Sequence, residues 1–265
     1  MTLITLTPFD LALASSLVLL LALLSWRMQL GVERQLLIAA LRSAVQLILI
    51  GFVLKLLFAQ SNPFFIGLLA LLMLSVAGFE VMSRQQRSFT GLWGYGIGAL
   101  SMFLSSFSVA LITLWVILQP DPWYTPQYAI PLLGMLLGNT MTGIALSLDN
   151  LTRTAWDKRH QIEAQLLLGH DARQAISSIR RDALRSGLIP IINSMAAAGI
   201  VSLPGMMTGQ ILAGSPPLEA AKYQLLIMFL IASGTGLGSM AAIWSGSKRL
   251  FDERQRLRLD RLKKR

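Results

Sequence analysis

The sequence predicts an all-α polytopic membrane protein of about seven transmembrane helices, with the N-terminus outside and the C-terminus cytoplasmic. Three observations carry this. Only 14% of the residues are charged and 54% are hydrophobic, whereas a soluble domain has about a quarter charged residues. The apolar residues fall in blocks of roughly twenty, the length that crosses a bilayer as helix. The basic residues alternate sharply from one connection to the next.

The blocks run, in order, over Pro8–Trp26, Leu36–Phe58, Phe64–Met82, Ile97–Leu118, Tyr128–Leu148, Gly187–Ala213 and Leu225–Trp244. The first comes after an uncharged start without a basic n-region, so it is expected to be a retained span and not a cleaved signal. Span four carries Ser101, Ser105 and Ser108 on one helical face. Gly94/Gly98, Gly134/Gly138 and Gly234/Gly238 each give the Gly-x-x-x-Gly spacing that lets helices approach closely, within one chain or between two. The connection Gln119–Gln127 holds three prolines with Trp123 and Tyr124, which suits a stiff loop with an aromatic anchor at the interface. Span six is expected to be broken, by Pro190 and by Pro204-Gly205.

Twenty of the 23 Lys and Arg lie in alternate connections: 27–35, 83–96, the long loop 149–186 and the tail 248–265. Cytoplasmic loops retain Lys and Arg, which sets the orientation and places a bacterial chain of this kind in the inner membrane. The net charge of +10 is therefore topological. It suits anionic lipid headgroups and gives no reason to expect nucleic acid. The tail mixes Leu250, Phe251, Leu257 and Leu262 with its charges, as either a membrane-surface amphipathic helix or a solvated tail would. The chain reads as one permease domain spanning 1–265.

The absence of cysteine rules out disulfides and thiolate metal sites. No Gly-x-x-x-x-Gly-Lys-Ser/Thr loop occurs, so ATP binding in that mode belongs to another chain. His160 and His170, the only histidines, stand ten residues apart in the loop. That spacing suits neither a helical metal pair nor an intramembrane hydrolytic triad. The chain is expected to be no enzyme and to bind no cofactor.

The loop 149–186 reads as two helices meeting at a corner. The first, about Ala155–Leu168, offers Trp156, Ile162, Leu166 and Leu167, and Gly169 stands where a left-handed cap ends a helix. Asp171 is placed to cap the next helix with Gln174 three residues on, and Ala172, Ile176, Ile179 and Ala183 recur at helical spacing. Such a knob is shaped to seat in a groove of a partner.

These residues carry a resemblance. Glu163-Ala164-Gln165, then Gly169, then Ile179 resembles the coupling loop of ATP-binding-cassette permeases, with Gln165 in place of an alanine and Arg180-Arg181-Asp182 where importers show x-Leu-Pro. Further runs around it are Arg42-Ser43-Ala44-Val45-Gln46-Leu47, Leu133-Gly134-Met135 with Gly138-Asn139, and Ser202-Leu203-Pro204-Gly205-Met206-Met207-Thr208-Gly209-Gln210. Over about 36–245 they look like the FetB-type permease family, whose bacterial members are described as iron exporters partnered by a separate ATPase and whose plant relatives are linked to aluminium tolerance. The resemblance implies a homodimeric permease without catalytic residues, driven by a P-loop ATPase subunit that uses the ATP. It also implies that Glu163, Ala164, Gly169, Asp171 and Ile179 form the coupling surface.

Candidate transport residues are picked out by the cost of polar groups in lipid. Glu80 at the inner end of span three, with Met206, Met207 and Gln210 beside the break at Pro204-Gly205, forms a candidate cation path. Thioethers suit soft copper(I) better than iron, so the methionines alone do not select a metal, and Glu80 also stands at i,i+4 to Arg84. Arg42 and Gln46, one turn apart, and Asn139 and Asn193 are candidates to line a cavity. Two other functions fit parts of the pattern. A stand-alone secondary transporter or channel would need an intramembrane carboxylate, which no span offers at its centre. A membrane sensor or scaffold would use the loop to bind a signalling partner.

Overall fold

The computed structural model describes residues 7–60 and 62–264. The described residues are mostly helical, with one two-stranded ribbon. Its elements are α1 (Pro8–Arg27), α2 (Glu33–Gln60), α3 (Pro63–Ser83), β1 (Arg87–Phe89), α4 (Leu92–Leu118), α5 (Pro126–Asp157), α6 (Arg159–Leu167), α7 (Ala172–Ala175), α8 (Ser177–Ala197), α9 (Gly205–Leu212), α10 (Pro217–Arg249) and β2 (Leu262–Lys264). By internal packing they form two units. One holds α1 and α2 with the stretch Leu212–Gly214, and the other holds the remaining described chain.

In the first unit, Thr7 and Asp10 close a capping box at the start of α1: the Thr7 amide donates to Asp10 Oδ2 at 2.8 Å and the Asp10 amide to Thr7 Oγ1 at 3.3 Å. Positive φ at Gln29 and Gly31 turns the chain into α2. Both helices are apolar all round and exposed along most of their length, with Leu41, Leu47 and Leu56 each about 70% exposed. That composition is soluble only in lipid.

The second unit is a bundle whose helix directions are given by facing residues. Met73 of α3 lies beside Gly134 of α5, and further down the Gln86 amide donates to Asp149, so α3 and α5 run the same way. Gly234, Gly238 and Gly246 of α10 meet Leu136, Thr140 and Leu148 in turn, so α10 runs with them. α4 returns against α3, with Gly98 on Val81 and Gly94 on Met82. α8 returns against α10: Leu188 lies beside Gly236, while Ile176 and Arg180 share a cleft with Ser247 and Phe251. Lipid supplies no hydrophobic drive between helices, so close approach at small residues holds such a bundle. A Cβ at Gly98 would come within 2.8 Å of Val81, and at Gly238 within 2.7 Å of Ser105 Oγ and Thr140 Cγ2. Gly94, Gly98, Gly234 and Gly238 thus pack within the chain, whereas nothing lies within 4 Å of a Cβ at Gly138. Leu136, Ile144, Leu148 and Leu151 of α5 fill the centre with Met102 and Ile243, all at most 1% exposed.

Six helices among the described residues are continuous and apolar enough to span a membrane: α1, α2, α3, α4, α5 and α10. The expected sixth span is different in kind. α8 begins in the polar loop and passes through Pro190 unbroken, so that proline does not interrupt it. The break lies at 198–204, where Gly199 takes φ +82° and its amide donates to the Ser202 carbonyl, before α9 resumes. Because α5 and α10 run in the same direction, the chain between them must travel back along the bundle. The broken pair α8–α9 makes that return.

Two other expectations are corrected. In α4, π turns at Phe103–Phe107 and Thr113–Leu118 each add a residue to the turn and rotate the helix beyond it. Ser101, Ser105 and Ser106 are therefore buried, and Ser108 is exposed on another side. The tail is neither a surface helix nor loose. It folds back after α10 through a turn at Asp252, and β2 pairs antiparallel with β1, Phe89 opposite Leu262. Leu250, Phe251, Phe89 and Leu262 are all under 9% exposed there. Each contributes about 1.5–3 kcal/mol of burial where the end of the bundle meets water.

Candidate coupling corner and transport path

The polar corner is built by local chemistry. α5 ends at Asp157, and α6 sets off from Lys158 with Ile162 buried against the bundle end. Gly169 takes φ +91°. Its amide donates to the Leu166 carbonyl and that of His170 to the Gln165 carbonyl, both at 3.1 Å, which is the paired pattern of a Schellman stop. Asp171 then caps α7: Oδ1 accepts from the Gln174 amide at 2.7 Å, and Gln174 Oε1 accepts from the Asp171 amide at 3.1 Å. Ile176 and Ile179 are buried beneath, 2% and 3% exposed.

The outward face of the corner is unusual. Leu167 and Leu168 are 89% and 80% exposed, at a polar end of the molecule. Glu163 and Ala164 are exposed on the same short helix, with Glu163 3.6 Å from His160. The tail joins this surface. Gln255 Oε1 accepts from the Ala172 amide at 2.9 Å, and a cleft of about 790 Å³ lies between Glu163, Leu167 and His170 on the corner and Glu253, Arg254 and Leu257 on the tail.

The tail is held by charge as well as by β-pairing. Arg258 grips Asp260 through two bonds of 2.8 Å, and this holds the Asp260 carboxyl down at about 2. Asp252 accepts from the Arg254 and Arg256 amides and from the Arg256 guanidinium, and the Arg256 amide bond leads in lowering its carboxyl below the usual range. Arg261 Nη1 donates to the carbonyls of Arg249 and Phe251 at 2.9 and 3.2 Å. Sequence reasoning missed this clasp. Its traces were the charge pairs Asp252/Arg256 and Arg258/Asp260 and the two-residue alternation of Leu257 and Leu259.

The transport candidates are not gathered in one place. Glu80 lies in the last turn of α3 at the basic end, its carboxylate 3.7 Å from Arg84 Nε. Met206, Met207 and Gln210 stand on α9 beyond the break, toward the other end of the broken crossing. Pro204 and Gly205 lead into that helix, Met206 packs partly buried against the core, and Gln210 Oε1 is buried without a hydrogen-bond partner among the described residues. Asn139 and Asn193 face outward from α5 and α8, and Asn139 Nδ2 donates to the Met135 carbonyl at 2.8 Å. Arg42 and Gln46 are exposed on α2. No group of three or more His, Asp or Glu converges among the described residues. The interior does hold hydroxyls that sequence reasoning passed over. Thr140, Ser147, Thr235 and Ser239 are at most 2% exposed, and their oxygens lack a partner among the described residues.

Comparison with known proteins places this architecture. A membrane protein of Synechocystis is 41% identical over 239 residues, covering 89% of this chain and 90% of its own. The probable iron export permease protein FetB of Escherichia coli is 34% identical over 259 residues, 97% of each chain. The protein ALUMINUM SENSITIVE 3 of Arabidopsis thaliana is 34% identical over 233 residues, 88% of this chain and 83% of its own. No solved structure matches. The model of the Uncharacterised protein family (UPF0014) matches residues 8–251, and the chain, a multi-pass membrane protein, belongs to that family.

Proposed function

We propose that the chain is the membrane-spanning permease subunit of an ATP-binding-cassette transporter of the bacterial inner membrane. It works as a homodimer over a separate P-loop ATPase and exports iron or a related metal cation. The observation that carries the reading is the α6–Gly169–α7 corner. It sets two exposed leucines on a rigid turn fixed by a Schellman stop and a capping box. Exposed apolar side chains on an ordered polar surface are the mark of a docking site. A helix end anchored by Ile176 and Ile179 is stiff enough to pass a push from that site into α8. α8 continues into the broken crossing, where the break frees backbone carbonyls that protein or water must satisfy. The cation identity rests on the name of the Escherichia coli relative. Neutral ligands on Met206, Met207 and Gln210 would hold a cation weakly enough to release it. Asn139 and Asn193, exposed on span faces where lipid contact is costly, suit the seam with a second copy or a cavity.

The test is to look for a P-loop ATPase in the reading frames adjacent to this chain's own and to co-express it with the chain; adjacent frames that encode none would count against the reading. Wild-type chain should co-purify with the ATPase in equal amounts, and Leu167→Ala/Leu168→Ala should release it while inserting normally. Retention of the ATPase by that variant would remove the corner from the interface.

A further inference from the structure

A second cleft, of about 770 Å³, lies at the same end of the bundle, between the start of α4, the end of α10 and the tail. Its walls are Trp93, in the first turn of α4, and Trp244, in the last turns of α10; they are 50% and 58% exposed. Exposed tryptophan at a span end is the signature of the headgroup level. Met240, one turn along α10 from Trp244 and away from the tail, is 53% exposed. The tail closes the cleft from the polar side. Arg249 stacks on Trp93 at 4.6 Å and Lys248 on Trp244 at 5.4 Å, with Arg254, Arg256 and Arg261 around them.

The charge there is not balanced. Five basic side chains line the cleft against Asp252 and Glu253, and Arg256 is already committed to Asp252 at 2.8 Å. Among the described residues no carboxylate forms an ion pair with Lys248, Arg249, Arg254 or Arg261; Asp260, bound to Arg258, acts on Arg249 and Arg261 only from further off. The tail's backbone turn and the Arg261–carbonyl bonds hold these cations together. Like charges fixed by a fold at close range call for an anion. We propose that this cleft binds the phosphodiester headgroup of an anionic phospholipid, with the guanidinium and ammonium groups on the phosphate and the acyl chains running down past Trp93 and Trp244. A basic pocket between span ends that opens to the bilayer has the chemistry of such sites. A soluble anion would have no use for the indole walls. The bound lipid would tie the start of α4 to the end of α10 and the tail, independently of any ATPase.

The experiment is native mass spectrometry of the purified full chain with equimolar phosphatidylglycerol and phosphatidylcholine. Wild type should retain phosphatidylglycerol preferentially. Lys248→Gln/Arg254→Gln, whose side chains hold no part of the tail, should retain it roughly thirtyfold less, at the usual worth of two basic residues near an anionic surface. Its melting temperature without lipid should match wild type. Arg153→Gln/Arg181→Gln, removing exposed charge elsewhere, should bind as wild type does. Equal retention of the two lipids, equal binding by wild type and the cleft variant, or displacement of the lipid by millimolar inorganic phosphate would each overturn the proposal.

Discussion

Replacing Gly187 by valine tests the bundle where it is tightest. A Cβ at this position would collide with Ser147 Oγ and the Gly143 carbonyl oxygen of α5, and a Cβ at Gly143 would in turn meet Thr235 of α10. Neither α5 oxygen sits at the end of a long flexible chain, so α5 and α8 must separate. Overpacking of this kind costs about 1–3 kcal/mol. Separation also strains the adjacent Asn150–Ser186 hydrogen bond of 3.1 Å, worth about 0.6 kcal/mol in a membrane bundle. Against this stands a gain of about 0.5 kcal/mol from replacing helical glycine. The net is a loss of about 1–3 kcal/mol, or roughly 3–10 °C in melting temperature for a chain of this size. The control is Gly138→Val, on α5 with nothing within 4 Å, which should melt as wild type or slightly higher. Both variants would be purified in one detergent and followed by thermal unfolding. If Gly187→Val melts with Gly138→Val, the α5–α8–α10 seam is not the close contact described.

Other outcomes are expected on the same grounds. A C-terminal reporter fusion should be active only in its cytoplasmic form, because twenty of 23 basic residues lie in alternate connections between the expected spans; alkaline phosphatase activity there would reverse the orientation. The Asp260 carboxyl is held down at about 2 by Arg258, so its contribution is complete above the ordinary carboxylate range and is lost only as pH falls from about 4 toward 2. Protection from hydrogen exchange at residues 87–89 should therefore be unchanged from pH 7 to 5, and early loss of it would contradict the clasp. Metal flux in vesicles holding permease and ATPase should fall for Glu80→Gln and for Met206→Leu/Met207→Leu. Unchanged flux in both would leave Glu80 to Arg84 and the methionines to packing.

The sequence could reveal whatever depends on neighbours along the chain. Spans α1, α2, α3, α5 and α10 showed as apolar blocks because lipid demands about twenty such residues in a row. The corner was legible because Gly169 and the Asp171/Gln174 box are local devices with fixed spacing. The clasp was not, because β1 and β2 are three residues each and most of the chain separates Phe89 from its partner Leu262. Nor were the π turns of α4, where no residue type marks the added residue and Ser106, not Ser108, turns inward. Pro190 misled for a related reason. A proline costs a helix one hydrogen bond, and packed neighbours in a bundle let α8 continue past it.

In the proposed transporter, force from ATP hydrolysis enters the membrane through the corner at Gly169. Nothing lies within 4 Å of a Cβ there, so Gly169→Val acts through the backbone alone, opposing φ +91° at a cost of roughly 1–2 kcal/mol. Insertion should be unchanged, and melting should fall by only the few degrees that this cost implies. In vesicles holding permease and ATPase, the account predicts that metal-stimulated ATP hydrolysis and metal efflux fall together. Full coupling of hydrolysis to efflux in Gly169→Val would contradict it.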